Sequence, residues 1–572
     1  MKNLRFKHIL VGLAASSCLT FGSCTDLSEN LYDSLNESNL DFTSENDVNA
    51  LMGQAFAQFR YIYWAWNGYF DLQEECSDTY MTPKRIGIGW GDLYVNMHKH
   101  DWDYNLGHID GFWNYAYKCI GYCNQCLDVL PEANAADRAQ LRFLRATVYY
   151  MLMDAFRNVP LETTRNVPEG YLPTQSSAQD IFDFCVTELS EIKDDLGTEH
   201  VFGYANRYAA CMTLAKLYLN HNAYFGGDDN SWYEKAYTEV NEVINDGGYS
   251  LAENYLDNFK HDIDSSPEVI FAIPLDITHA SHNYLSSKCL PQSGLAAYGC
   301  TGAAQNGSCA VPQFIDTYDA EDKRLTDTWA GGIQKNAVKN SDGTYTPQAG
   351  DPIEFTADDW SGTGYLNYNK DVHSIDNPGA YQQEGYRFVK SEICSGTDGT
   401  YGNDVAFYRL ADAMFIKAEC LLRLGGYNGE TEQTAADLIT EVRKRSFDSV
   451  AKATRTVAQL KGGSVYDYGH REYTCEGFAN WDRASYVSTQ EGGSDIILGG
   501  LLDDLGWEFV GEHHRRQDLI RFKMQDGRNV FNGKSWFCKD ATTETKWDYF
   551  PLPKSALDAN ISLKQNEGYS GN

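Results

Sequence analysis

Residues 141–160 constrain the fold more than any other part of this 572-residue chain. Apolar side chains recur there at spacings of three and four, which places them on one face of an α-helix. They are Leu141, Leu144, Val148, Leu152, Ala155 and Val159. The pattern predicts a helix that Pro160 ends, and a helix with one apolar face must be buried against neighbours. Partner helices are predicted at 112–130 and 178–196, so we expect a stack of paired helices.

The same periodicity continues on both sides of this stretch. Further helices are predicted at 48–63, 207–224, 232–246, 404–425, 435–446 and 502–522. Consecutive pairs of this kind are typical of tetratricopeptide-like repeats, although a strict period of about 34 residues is missing. The predicted fold class is therefore mostly α, with degenerate tetratricopeptide-like helix pairs as its scaffold.

Two long stretches lack helical periodicity. Residues 249–403 are rich in Gly, Ser, Asp and aromatics and contain one predicted strand, at 269–274. A loop region of this length in a compact domain is more often functional than not, so we expect it to bind a ligand. Residues 80–103 are also predicted to be a loop, in which Gly87, Gly89 and Gly91 bracket Trp90.

The N-terminus has the order of an export signal. Lys2, Arg5 and Lys7 precede an apolar run at 9–21, which is too short to span a bilayer. Small residues then stand directly before Cys24, as in the cleavage box of bacterial lipoproteins. The alternative is an ordinary leader that is cleaved nearby, with Cys24 an incidental thiol.

These features predict the domain organisation. Residues 1–23 are the leader, Cys24 carries lipid, and the acidic stretch 24–45 is a tether. No Pro-rich or Gly/Ser-rich linker divides the remainder, so 46–572 is expected to be one domain. Within it, 46–248 are the helical repeats, 249–403 the loop-rich insertion and 404–572 a second helical part. No later run is apolar enough to span a membrane, so lipid would be the only anchor.

The composition narrows the possible partners. The formal net charge of −33 disfavours binding to nucleic acid or to anionic lipid surfaces. Aromatic side chains are abundant, with 38 Tyr, 27 Phe and 12 Trp. Flat rings stack on the apolar faces of neutral ligands such as sugars, although many of these rings must belong to the core.

The cysteines invite two interpretations. Cys119, Cys123 and Cys126 have the spacing that holds an iron-sulfur cluster in some radical enzymes, but all three positions face one side of a predicted helix in an exported chain. We interpret them as core residues. Cys289, Cys300 and Cys309 lie in a Gly/Ser-rich loop, where two of them could form a disulfide; the sequence does not say which two.

Nothing in the sequence has the setting of a catalytic site. There is no nucleophile elbow, phosphate-binding loop or zinc-protease motif. His513 and His514 are adjacent on a predicted helix and diverge, while His279 and His282 lack a third metal ligand nearby. A chance pair of carboxylates at glycosidase spacing leaves a glycoside hydrolase as a minor alternative. The prediction is a protein that is not an enzyme, has no cofactor and has no metal at its predicted site; the sequence leaves open whether it holds a structural metal ion.

Several weak motifs occur together in one order along the chain. They are the Cys24 box and residues 113–124, 141–160, 206–219, 249–259, 322–324, 409–419, 442–445, 508–521, 549–553 and 565–566. With these motifs the chain resembles the SusD/RagB lipoproteins of Bacteroidetes. The resemblance implies a lipid-anchored protein, exposed on the outer membrane, that captures a nutrient glycan and delivers it to a SusC-like TonB-dependent transporter. The charged residues of the motifs at 409–419 and 508–521 are interpreted as ion pairs between helices.

The resemblance also suggests where a ligand lies. In the family, aromatics from the loop before the first repeat pair and from the irregular middle region hold the ligand on one face. The rings that lie in such loops here are Trp66, Trp90, Tyr298, Trp329 and Trp360. Burial as a loop anchor is the alternative role for each ring. A peptide is the alternative ligand, and the helical repeats could additionally serve as a scaffold for a partner protein.

Overall fold

The computed structural model describes residues 44–64, 68–276, 278, 283–356, 362–376, 379–397, 402–473 and 486–571. The described residues fall in one compact unit, Phe42–Asn572. Its α-helices are α1 (Glu45–Trp64), α2 (Tyr69–Glu74), α3 (Asp92–Lys99), α4 (Gly107–Val129), α5 (Ala135–Phe156), α6 (Ala178–Ile192), α7 (Arg207–Phe225), α8 (Ser231–Asp246), α9 (Leu285–Cys289), α10 (Pro312–Ile315), α11 (Lys323–Thr328), α12 (Leu410–Leu424), α13 (Glu432–Arg443), α14 (Val450–Ala453), α15 (Val457–Lys461), α16 (Gly499–Phe509), α17 (Arg515–Arg521), α18 (Val530–Gly533) and α19 (Lys554–Ala559).

Strands are short and scattered. They are β1 (Tyr80–Met81), β2 (Val269–Ile273), β3 (Cys309–Ala310), β4 (Trp329–Ala330), β5 (Gly332–Ile333), β6 (Val338–Lys339), β7 (Tyr345–Thr346), β8 (Asn367–Tyr368), β9 (Arg387–Phe388), β10 (Val405–Arg409), β11 (Gly469–Tyr473), β12 (Tyr486–Ser488) and β13 (Trp536–Phe537). Among the described strands, β11 lies between β12 and β13, and the others form two-stranded pairs.

Helix α5 is the centre of the helical part, as its periodicity predicts. It is buried on every side over most of its length rather than along one face, because α1, α4, α6 and α7 all contact it. The helix ends at Phe156, where Arg157 has a φ of +63°. The prediction that Pro160 ends it is therefore wrong by one turn; Pro160 lies in an extended segment that bridges to Gln175.

The helices pack in chain order. Helix α4 lies between α1 and α5, α6 between α5 and α7, and α12 between α8 and α13. Local capping fixes where two of them begin: Ser177 and Asp180 form a capping box before α6, and the Asn206 side chain accepts from the first amides of α7. The mostly helical class is confirmed. The tetratricopeptide-like regularity of the pairs stays a prediction.

Two predicted helices in the second half are wrong in part. The segment 404–425 begins as strand β10, which pairs antiparallel with β2, and only then continues as α12. All five β10 residues, Val-Ala-Phe-Tyr-Arg, are buried, and a fully buried strand does not alternate in the way that reveals an exposed one. The strand at β2 agrees with its prediction.

The predicted helix at 502–522 is two helices, α16 and α17. Gly511 breaks it with a φ of +76°, and a Cβ at this position would lie 2.3 Å from the Phe388 ring. The buried carboxylate of Glu74 accepts from the amides of Gly511 and His514, both at 3.2 Å, and so caps the break.

Residues 80–103 also differ from their prediction, since β1 and α3 form where the sequence predicts only loop.

A cluster of buried charges joins the irregular region to the C-terminal helices. Glu508 on α16 accepts from Arg409 at 2.9 Å, from Arg445 at 2.6 Å and from Arg324 at 3.0 Å. Glu508 and Arg324 are fully buried. Ion pairs between Arg521 and Glu419, at 2.8 Å, connect α17 to α12 in the same way. The interpretation of these motif charges as ion pairs is confirmed, but the pairs are buried rather than on the surface.

The three cysteines of α4 are core residues, as expected. Cys119, Cys123 and Cys126 are all at most 2% exposed. The thiols of Cys119 and Cys126 donate to carbonyls of α1 at 3.4 Å, so they help to seat α4 against that helix.

Candidate functional site

Trp90 is the predicted ligand residue with the most defined setting. It follows a tight turn in which Arg85 pairs with Ile88, and it stands just before α3. The indole Nε1 donates to the carbonyl of Gln305 at 2.8 Å, and the ring packs edge-on against Tyr94 with centroids 5.3 Å apart. The side chain remains half-buried. The ring is therefore fixed at one edge and still partly accessible.

Gly307 provides the surface beneath the indole. A Cβ on Gly307 would lie 2.7 Å from Cζ2 of Trp90 and 2.8 Å from the carbonyl oxygen of Lys288. Real Cβ atoms do not approach so closely, so this contact between ring and backbone requires glycine. Three neighbours in the chain, Ile86, Ile88 and Leu93, are between 40% and 44% exposed. We call Trp90 with these three side chains the Trp90 platform.

Two buried arginines hold the loops behind the platform together. Arg85 donates to Gly307 at 3.0 Å and to the carbonyls of Tyr381 and Glu384 at 2.9 Å. Arg387 donates to the Asn306 side chain at 2.8 Å, and burial lowers the pKa of Arg387 to about 10. A guanidinium can bridge several carbonyls at once, so the loops that carry Trp90 and its support are fixed relative to each other.

Lys288 fixes the loop at 284–310, which contains the residues that support Trp90. Its ammonium donates to Asp71 at 2.8 Å and to Glu75 at 2.7 Å, in a site where all three side chains are buried. Burial alone would lower the pKa of Lys288, but Asp71 and Glu75 outweigh it and hold the pKa well above its ordinary value. The ammonium therefore stays charged and ties the loop at 284–310 to α2.

The predicted disulfide in this loop is wrong for the structure, since Cys289, Cys300 and Cys309 are free thiols. Cys289 lies 3.0 Å from the Tyr80 hydroxyl, and Cys300 donates to the carbonyl of Cys394 at 3.4 Å. The loop is rigid for a different reason, namely the ion pairs and guanidinium bonds around it. Sequence reasoning missed Arg85, Lys288 and Arg387 because their partners lie more than 200 residues away or are main-chain carbonyls.

The other predicted ligand residues have different environments. Tyr298 is half-buried at the end of the 3₁₀ turn Gln292–Tyr298, and burial raises its pKa to about 12. Its ring packs with two small hydrophobic clusters, and among the described contacts it does not touch Trp90. Trp329 is only 2% exposed and packs edge-on against Phe388 at 5.5 Å. The prediction that Trp329 offers a free ring to a ligand is therefore wrong.

Three predicted positions lie outside the described residues. They are Cys24, Trp66 and Trp360.

Comparison with known protein families decides the identity of the chain. The model of the SusD family matches residues 221–569, more than half of the sequence. The chain belongs to the SusD family. A second family model, described as starch-binding and associating with the outer membrane, matches residues 33–219.

Individual relatives of the SusD family agree with this assignment. The starch-binding protein SusD of Bacteroides thetaiotaomicron is 24% identical over 88% of this chain and 83% of its own length. A SusD-like protein of Formosa agariphila, P25, is 22% identical over 80% and 73%. These relatives are named as SusD or SusD-like proteins, and SusD itself as a binding protein rather than an enzyme.

Solved structures of the SusD superfamily share the fold. A superfamily protein from Parabacteroides distasonis superimposes with a TM-score of 0.67 at 19% identity, over 92% of this chain and 99% of that one. Surface glycan-binding protein A from Bacteroides thetaiotaomicron, in complex with laminarihexaose, gives a TM-score of 0.63 at 17% identity, over 91% and 99%. Among the described residues of the present SusD family member, no helix is both long and apolar enough to cross a bilayer.

Side chains of this SusD family member that could suggest a metal have other roles. His513 is buried and shares a hydrogen bond of 2.8 Å with Tyr63, while His514 stacks on Phe509. Burial holds the pKa of both imidazoles well below the ordinary value. His279 and His282 lie outside the described residues.

One described cluster has the ligand types of a metal site: Cys211, Glu239 and Glu242. The ammonium of Lys193 already donates to Glu239 at 2.8 Å and to Glu242 at 3.0 Å. The Arg207 guanidinium also pairs with Glu242, so two cations balance the two carboxylates, and the arrangement is an ion-pair cluster that joins the end of α6 to α7 and α8.

Proposed function

We propose that this protein binds a glycan at the cell surface through the Trp90 platform. One observation carries the proposal: the Trp90 indole is fixed by Gln305, Gly307 and Tyr94, yet stays partly accessible, in a chain segment that also exposes aliphatic side chains. A sugar ring presents C–H groups on one face, which stack on a flat aromatic. A ring that is already immobile loses little conformational entropy when the ligand binds.

The relatives suggest the first ligands to test. Named relatives bind starch or were solved with laminarihexaose, so α-glucan and β-glucan oligosaccharides come first. Tyr298, Trp66 and Trp360 remain proposed further contacts. Trp329 is excluded because it is buried.

Calorimetric titration with a panel of oligosaccharides and peptides tests the platform. Trp90→Ala should remove about 1 to 3 kcal/mol of binding free energy, which is about 5-fold to 150-fold in Kd. The matched control is Trp232→Ala, a half-buried tryptophan on α8 that stacks on His221. It should leave affinity unchanged.

Two results would contradict the proposal. Equal glycan affinity in the wild type and the Trp90→Ala form would remove Trp90 from the site. Binding of a peptide through Trp90, with no glycan bound, would keep the site and replace the sugar by a peptide.

We propose further that Cys24 carries the lipid that anchors the protein in the outer membrane, facing outward, with 24–45 as its tether. The support is the order of basic, apolar and small residues before Cys24 and the outer-membrane description of the matching family model. Cys24→Ala should release the protein from membranes and abolish palmitate labelling. Cys18→Ala, which changes a cysteine within the leader, should do neither. A Cys24→Ala form that stays labelled and membrane-bound would show that the anchor is elsewhere.

The proposed partner is a SusC-like TonB-dependent transporter, to which the bound glycan is delivered. Support comes from family membership alone. Mild-detergent extraction and affinity capture should recover a large outer-membrane barrel protein in comparable amount. Recovery of the free monomer, from membranes in which such a transporter is present, would contradict the proposed delivery to a transporter. It would not bear on the proposal that the protein binds a glycan.

A further inference from the structure

A groove on the outer side of α4 is separate from the Trp90 platform. Its volume is about 420 Å³, and it lies between α4 and the segment that follows α5. The residues that line it are Asn114, Tyr117, Lys118, Gly121, Tyr122 and Arg165. None of them belongs to the loops that carry or support Trp90.

Hydrogen bonds hold the two walls of the groove in place. The Arg165 guanidinium donates to the Gln125 side chain at 2.7 Å, and its amide donates to Asp128 at 3.0 Å. The Tyr117 hydroxyl donates to the carbonyl of Pro160 at 2.9 Å. The segment after α5 is therefore fixed on α4, and the groove exists without a ligand.

Gly121 forms part of the groove floor, in the interior of α4. Glycine is a weaker helix former than any residue except proline, so a helix interior selects against it unless it has another role. Here a Cβ would meet no atom within 4 Å, so no packing contact of this chain requires glycine. What the glycine does provide is open space beside Tyr117 and Tyr122.

Two exposed cations line the groove in a strongly acidic protein. Lys118 and Arg165 are both exposed, and neither pairs with a carboxylate among the described residues, while the whole chain carries −33. Asp110 lies at the edge of the groove, where Asn114 donates to it, but it stands eight positions before Lys118, about 12 Å along the helix axis and beyond the Debye length of about 8 Å. Asp128 keeps its negative charge, but its carboxylate accepts from the Thr164 hydroxyl and the Arg165 amide and forms no ion pair with either cation among the described residues.

We propose that this groove is a second carbohydrate site, selective for an acidic sugar that carries a carboxylate or a sulfate. A tyrosine ring covers the C–H face of a pyranose, and two cations without carboxylate partners bind the anionic group. Asn114 donates to Asp110 at 3.2 Å, which leaves its carbonyl oxygen to accept from a ligand hydroxyl. The site goes beyond the proposed function, because it differs from the Trp90 platform in both place and ligand charge.

The test uses the full mature protein with Trp90→Ala, so that the platform does not contribute. Trigalacturonic acid and a heparin-derived tetrasaccharide are the acidic probes, and maltotriose is the neutral one, in titrations at low and high salt. We expect an acidic probe to bind at least about fivefold more tightly than maltotriose, and more weakly as salt increases. Lys118→Gln combined with Arg165→Gln should weaken it about fivefold or more.

Gly121→Leu tests whether binding at the groove can be removed without loss of stability. Leucine should fill the groove and abolish binding of the acidic probe, while the melting temperature stays equal or rises because leucine is the better helix former. Gly53→Leu, at an exposed glycine of α1 that also has open space around its Cβ, is the matched control and should leave binding unchanged.

Each of the following results would overturn the proposal. Neither acidic probe binds the Trp90→Ala form, or maltotriose binds equally well, or Gly121→Leu leaves binding intact. Loss of a co-purifying membrane protein on Gly121→Leu, with no sugar bound by the parent, would make the groove a protein-docking surface instead.

Discussion

Replacing Glu508 by glutamine should destabilise the protein severely without changing its shape. The cluster around it balances four carboxylates against four cations. These are Asp322, Glu268, Glu508 and Glu512 against Arg324, Arg409, Arg445 and Lys390. Burial opposes ionisation, but Arg445, Arg409 and Arg324 outweigh it and hold the pKa of Glu508 well below its ordinary value. Glutamine would leave one buried positive charge uncompensated.

The size of the effect follows from the contacts. Both oxygens of Glu508 accept from guanidiniums, whereas a glutamine keeps one acceptor and turns an N–H₂ toward an arginine in either orientation. Breaking a buried ion pair in this way costs about 3 to 5 kcal/mol of unfolding free energy. The control is Glu441→Gln, whose pair with Lys444 is about half exposed, so its loss should cost about 1 kcal/mol or less.

The measurement is urea unfolding of the mature domain followed by tryptophan fluorescence, with free energies from the linear dependence on urea. A Glu508→Gln form as stable as the Glu441→Gln form would refute the reasoning, because it would mean that the guanidiniums find other partners or water. A changed slope would instead show that the native or unfolded state had changed its compactness.

Two further outcomes follow from particular contacts. Gly307→Ala should displace the Trp90 ring, because the new Cβ would lie 2.7 Å from Cζ2 of the indole, and should weaken glycan binding about as much as Trp90→Ala. Gly89→Ala, with open space around its Cβ, should leave the glycan affinity unchanged. Equal glycan affinities of the two variants in calorimetry would contradict this. Burial lowers the pKa of His98 from 6.5 to about 3, so on acidification the unfolded chain is protonated at a higher pH than the folded protein. The free energy of unfolding therefore falls as the pH drops between those two values, by up to about 1.4 kcal/mol per pH unit. Other buried imidazoles such as His513 and His514 add to the same slope, so His98→Leu should reduce the slope of the unfolding free energy between pH 6.5 and 5 by up to about 1.4 kcal/mol per pH unit without abolishing it, and an unchanged slope would show that His98 does not contribute.

Much of the helical scaffold was predictable because its signal is local. The spacing in α5 and the capping residues of α6 and α7 fix helices that the structure shows within a few residues of prediction. The sequence predicts helix where strand β10 forms, because a fully buried strand lacks the alternation that marks an exposed one. The break between α16 and α17 depends on Phe388 and Glu74, which are distant in sequence.

The candidate site was less predictable than the scaffold. Trp90 and Trp329 both lie among polar loop residues, and only long-range packing distinguishes them. Trp329 meets Phe388 and becomes core, whereas Trp90 rests on Gly307 and keeps an accessible part. The local sequence around each tryptophan does not show which of the two rings is buried, because burial depends on partners that are far away along the chain.

The charged cluster around Glu508 also bears on how the chain folds. Its pairs join residues far apart in sequence, 184 positions for Arg324 with Glu508 and 177 for Arg445 with Glu268. Large loops must close before any of these pairs can form, so the cluster belongs to the late part of folding. Until all the segments arrive, each charge is more stable in water than half-paired in the interior. The cluster therefore raises the free energy of conformations that are nearly native. Contacts that form late in folding mainly affect the unfolding rate, so the cluster mainly sets how slowly the folded protein unfolds.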